Sequence, residues 1–147
     1  MATAQDLMTK DPVLLEAASS IKDAVEIFTK RKFTSAPVVN SAGDVIGFLT
    51  EMSLVRAIVL HQLQPEKYQK LGQCAVLFED AAFVSVDDSV SMVIRALLNS
   101  ITRRVLVKGN GRKIIGIISP KDLLKVIQSE SEISQVVQNE IANFSVK

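Results

Sequence analysis

Ser119-Pro120-Lys121-Asp122 sets a hydroxyl and a carboxylate three residues apart, and Thr50-Glu51-Met52-Ser53 sets two hydroxyls at the same spacing. Each quartet follows an apolar run with a central glycine, "VIGFL" before the first and "IIGII" before the second, so each marks a strand passing directly into a helix. Ser119 suits the N-cap, Pro120 the first helical position, and Asp122 the third, where its charge favours the helix dipole. Capping alone accounts for the S-x-x-D spacing. The same geometry can also do chemistry: free N–H groups at a helix start lie beside a carboxylate able to accept from both hydroxyls of a diol. Thr50 keeps the cap, but Ser53 offers a short hydroxyl where Asp122 offers a charged acceptor, and Glu51, at the first helical position, points elsewhere.

Other reactive residue types are sparse. One cysteine, Cys74, and one histidine, His61, make neither an internal disulfide nor a zinc site. His61 has no Ser, Cys or acidic partner suggested nearby and reads as a packing or surface residue; Cys74 reads as packed. Gly109-Asn110-Gly111 is a hairpin turn without phosphate-loop spacing, and Lys30-Arg31-Lys32 suits a helix C-terminus. With no phosphate loop, acid/base pair or metal cluster, the expectation is a protein that is not an enzyme. Seventeen basic residues against 16 acidic ones, a net charge of +1, argue against nucleic-acid binding over the whole surface while leaving room for a small anion pocket. No apolar run approaches the roughly 18 residues that span a bilayer, and no signal-peptide pattern opens the chain. These features predict a cytoplasmic, free-standing polypeptide with no membrane partner.

The elements that must position the two quartets come twice. Ile21, Ala24, Val25 and Phe28 make one apolar helix stripe, and Val90, Val93, Ile94 and Leu97 repeat it 69 residues later. Ser20-x-x-Asp23 and Asp87-Asp88-Ser89 offer the caps. Strand-type runs at Ala36–Val39 and Val105–Val107 lead through Asn/Gly turns into the glycine-bearing runs, and short strands at Val13–Leu15 and Phe83–Val86 open the units. The unit is strand, helix, hairpin, helix. Residues 1–60 form the first repeat, 61–80 a helical linker with a break at Pro65 and a second helical piece at Tyr68–Leu71, 81–128 the second repeat, and 129–147 a helical tail carrying Ile133, Val136, Val137 and Ile141.

"DLMTKDPVLL" and "FTSAPVVNSAGDVIGFLTEMSL", then "AAFVSVDDSV" and "ITRRVLVKGNGRKIIGIISPKDLL", resemble the cystathionine-beta-synthase (CBS) domain family as a tandem pair, a Bateman module, over residues 5–128. The chain is similar to the small bacterial proteins that consist of such a pair. The resemblance implies an α+β fold of two βαββα repeats about a pseudo-two-fold axis, with two clefts that bind AMP, ADP, ATP or S-adenosylmethionine as a regulatory ligand, no cofactor being required. It also implies a homodimer and a downstream protein partner of unknown identity. Carried over by position, the main site comprises Met8, Val13, Phe33, Thr34, Ser35, Ile117, Ser119 and Asp122. A second, weaker site comprises Phe48, Thr50, Ser53, Ala82, Ile101, Thr102 and Arg103. Arg103 matches a phosphate-binding position of the family, and an extended segment there would point Arg103 and Arg104 opposite ways. The alternative is a ligand-free structural or interaction module whose clefts are filled by Phe33, Phe48 and Phe83.

Overall fold

The first apolar stripe folds into helix α2 (Ile21–Arg31), which buries Ile21, Ala24 and Phe28. Ser20 Oγ accepts from the Asp23 N–H at 3.0 Å at its start, and Lys32, at φ 55°, closes it in the left-handed region. The second stripe folds into α4 (Val90–Asn99) under the corresponding Ser89 cap, with Val93 fully buried. The structure, a computed structural model, describes residues 2–111, 113–126, 134 and 138. The expected tail stripe at Ile133, Val136, Val137 and Ile141 lies outside the described residues.

Around these helices the chain forms two compact units. One, Val13–Ala81, holds a three-stranded sheet in the order β2 (Leu15–Glu16), β3 (Ser35–Val39), β4 (Val45–Thr50), followed by α3 (Glu51–Leu63). The other, Met1–Pro12 with Ala82–Lys147, opens with α1 (Ala4–Leu7). Its sheet has the order β1 (Thr9–Lys10), β7 (Ile114–Ile118), β6 (Val105–Lys108), β5 (Ala82–Ser85), and α5 (Pro120–Val126) follows β7. The hairpin registers superimpose under the 69-residue shift. Ala36↔Leu49 becomes Val105↔Ile118, Val38↔Gly47 becomes Val107↔Gly116, and each ladder slips by a residue immediately afterwards. Val38, Leu49, Leu54 and Leu71 sit in one core; Val93, Val105, Val107 and Ile118 sit in the other.

Each hairpin is completed by the leading segment of the opposite repeat. Along β4, Phe48 and Glu79 exchange N–H···O bonds of 2.8 and 2.9 Å. Along β7, β1 pairs Thr9 with Ile117 and Lys10 with Gly116. Glycine makes both approaches possible. A Cβ on Gly47, whose φ is 151°, would lie 2.7 Å from Phe78 Cβ, and one on Gly116 would lie 2.8 and 2.9 Å from Met8 Cγ and Cβ.

Three local expectations are corrected. The Val13–Leu15 strand is only Leu15–Glu16, since that is where β3 runs alongside. The linker helix falls at Leu71–Leu77 as a 3₁₀ helix rather than at Tyr68–Leu71, where Lys70 instead bridges to Ser20. Arg103 adopts φ 59°, so the segment before β6 turns instead of running extended. We expect Gly47→Ala to destabilise the protein by about 1–3 kcal/mol through forced overpacking against Phe78, measured by thermal denaturation; an unchanged melting temperature would contradict the close approach.

Candidate functional site at the helix-start corners

At the β7–α5 junction the Ser119/Asp122 spacing closes into a reciprocal cap. Asp122 Oδ2 accepts from the Ser119 N–H at 2.9 Å and from its hydroxyl at 3.1 Å, while the Asp122 N–H points back at Ser119 Oγ, 3.4 Å away. These bonds fix the carboxylate's orientation. The second oxygen, Oδ1, accepts from Thr9 Oγ1 at 3.2 Å. A carboxylate offers about four acceptor positions, so this one keeps capacity for a further donor. Asp122 itself is half-buried and Thr9 is exposed.

Met8, Ile117, Ser119 and Asp122 therefore belong to one unit, carried by the segment from α1 into β1, by β7 and by the start of α5. Thr9 joins them, and sequence reading missed it: nothing local connects residues 113 positions apart. Val13, Phe33, Thr34 and Ser35 belong to the other unit. There Phe33 packs edge-on against Phe28 with ring centroids 6.1 Å apart, the exposed Thr34 accepts from the Glu51 N–H through its carbonyl, and Ser35 opens β3 opposite Thr50.

The β4–α3 corner uses its hydroxyls differently. Thr50 Oγ1 accepts from the Ser53 N–H at 3.0 Å, which is the helix cap. Ser53 Oγ donates to the Leu77 carbonyl at 2.8 Å, and because a hydroxyl has one proton, its 2.9 Å contact with Thr50 Oγ1 has Thr50 as donor. Both protons are engaged, Ser53 is fully buried, and so is Phe48. Ser53 thus faces an acceptor, the Leu77 carbonyl, whereas Asp122 faces a donor, the Thr9 hydroxyl. A carboxylate at position 53 would meet the carbonyl with like partial charge.

Ala82, Ile101, Thr102 and Arg103 lie in the unit that holds Asp122. Ala82 pairs with Val105, Ile101 is 70% exposed, and Thr102 Oγ1 is shielded from solvent with no hydrogen-bond partner among the described residues. Arg103 is exposed, and its carbonyl accepts from Arg104 Nη1 at 3.0 Å. Phe83 is 37% exposed beneath Lys108 Nζ, 4.0 Å from its ring centre. His61 Nδ1–H donates to the Tyr68 carbonyl at 2.6 Å, and burial pushes the fully buried Cys74 thiol up from its usual range. Among the described residues no helix is long and apolar enough to cross a membrane.

Two βαββα units, each ending in a strand-to-helix corner, define a tandem-repeat α+β module. The CBS domain model matches residues 4–60 and 75–129, and the chain belongs to that family as a tandem pair. Its fold is similar to that of CBSX2, solved in complex with AMP (TM-score 0.71, 22% identity, 91% of this chain and 99% of that one). It is also similar to the CBS domain pair of MJ0100, solved with 5′-methylthioadenosine and S-adenosyl-L-methionine (TM-score 0.65, 18% identity, 85% and 94%). Among curated relatives, an uncharacterized protein of Methanocaldococcus jannaschii, MJ1225, is 24% identical over 86% of this chain and 43% of its own length. An A-adding tRNA nucleotidyltransferase of Aquifex aeolicus is 22% identical over 87% of this chain. The chain spans only 15% of the latter's length.

Ser53→Ala should cost about 1–3 kcal/mol by leaving the Leu77 carbonyl without its donor, and Ser53→Asp should cost more. Urea denaturation of both variants tests the clamp, and equal stability of wild type and Ser53→Asp would refute it.

Proposed function

We propose that this chain is a non-catalytic regulatory module binding an adenosine-containing ligand at the Ser119–Asp122 corner. The observation that carries the proposal is the asymmetry within one carboxylate: Oδ2 is locked by Ser119, while among the described residues Oδ1 holds only an exposed threonine hydroxyl. A ribose diol presents two vicinal O–H donors, which suit such a pre-oriented acceptor. The half-buried Met8 and Ile117 in the same unit offer apolar surface for a base. AMP in CBSX2 and S-adenosyl-L-methionine in the MJ0100 pair, both of this fold, support the ligand class. The Thr50–Ser53 corner has its hydroxyl protons engaged within the chain, which favours the ligand-free reading for that corner. Regulation would follow if a partner distinguishes the bound from the free population.

A thermal-shift panel of AMP, ADP, ATP and S-adenosylmethionine tests the assignment. Ligand at a hundred times Kd should add about 2.7 kcal/mol of stability. Asp122→Asn, which keeps an oxygen for the cap, should weaken binding about ten-fold or more, the equivalent of one charge-assisted hydrogen bond. Absence of any shift at millimolar ligand would overturn the proposal, as would sustained release of phosphate from ATP the non-catalytic part of it.

The homodimer implied by the family resemblance would use α3. Its outer stripe of Met52, Val55, Val59 and Leu63 is 58, 52, 51 and 71% exposed, an apolar row suited to a second copy of itself. Val59→Glu should convert a dimer to a monomer in light scattering while leaving the fold intact; a wild-type monomer at high concentration would exclude this use of the helix.

A further inference from the structure

We propose that the Thr9 hydroxyl is a displaceable occupant of the ligand position on Asp122, so that binding releases strand β1 from the corner. The inference rests on the adenosine reading of Asp122 given above. Both corners hold a leading segment by one side-chain bond, but the two bonds differ in kind. Ser53 to the Leu77 carbonyl is short, at 2.8 Å, and made by a fully buried residue. Thr9 to Asp122 is 3.2 Å long, exposed, and joins two side chains. A ribose hydroxyl delivered to Oδ1 offers the same donor chemistry as Thr9 and competes for the same lone pairs.

What β1 would lose is limited. Ala4 and Leu7 are buried, and Asp6 caps the Thr3 N–H at 2.9 Å, so α1 stays anchored without Thr9. Met8 over Gly116 holds the start of the segment; from Thr9 onward the remaining attachment is the two-residue β1 backbone pairing and a 3.3 Å bond from the Asp11 N–H to the Ile115 carbonyl. Asp11 sits at φ 53°, a left-handed conformation that a non-glycine residue adopts at some cost. Residues 9–11 are also the last stretch before the chain passes from this unit into the other at Val13. Ligand exchange at Asp122 is thereby connected covalently to the segment joining the units.

Calorimetric titration of AMP and of S-adenosylmethionine into wild type, Thr9→Val and Thr9→Ser, joined to hydrogen exchange of residues 9–11, tests this. Thr9→Val removes the competing donor and should bind about three- to ten-fold more tightly, the equivalent of one modest hydrogen bond; Thr9→Ser should stay close to wild type. In wild type the ligand should accelerate exchange at residues 9–11, whereas in Thr9→Val exchange should already be fast and unresponsive. Equal or weaker binding by Thr9→Val, or ligand-induced protection of residues 9–11 in wild type, would overturn the displacement while leaving the binding site standing. Failure of wild type to bind either ligand would overturn the site and the displacement together. The exchange measurement on wild type decides the matter even if a Thr9 variant is unstable.

Discussion

The absent side chains at Gly47 and Gly116 govern much of this architecture. Each glycine lies in the strand that ends a hairpin, and a segment from the other repeat is laid against it with Phe78 or Met8 directly over the missing Cβ. Backbone pairing between Phe48 and Glu79, and between Thr9 and Ile117, then satisfies polar groups that an open sheet edge would leave to water or to another chain. Because the covering segment arrives beside the start of the next helix, the residue at the third helical position meets it in both units. The corner chemistry is downstream of that contact.

What the corner residue can be follows from what the covering segment presents. Leu77 offers a carbonyl, and the fully buried Ser53 donates to it. Thr9 offers a hydroxyl, and Asp122 accepts from it. The serine is therefore a specific solution to its own surroundings, and the difference between the two quartets has a structural cause independent of any ligand. Under the proposed function, the engaged and buried Ser53 leaves nothing for a ligand, whereas the half-buried Asp122 carboxylate keeps an acceptor for one.

The parts of the fold encoded over short spans were legible. Helix stripes, the Ser20, Ser89 and Thr50 caps and the hairpin runs all involve neighbours within a few positions, and their recurrence 69 residues later shows as plain self-similarity of the sequence. The 3₁₀ helix at Leu71–Leu77 has no 3.6-residue apolar pattern to announce it, and the left-handed Arg103 carries none of the glycine or asparagine that usually marks such a turn. Within the candidate site, Ser119 and Asp122 were found because they cap one helix, while Thr9 escaped because its link to Asp122 spans the chain. Phe48, nominated as a contact residue, is fully buried, and its backbone bridge to Glu79 joins residues too far apart for a local pattern to announce.

The crossing of leading segments has a consequence for how such a protein can exist at all. A lone repeat would present its glycine-bearing edge uncovered, and two separate copies could cover each other only by meeting, at a rate and extent set by their concentration. Joining the repeats in one polypeptide, as between residues 12 and 13 and again between 81 and 82, turns that encounter into an intramolecular one. Completion of each sheet then no longer depends on how dilute the protein is.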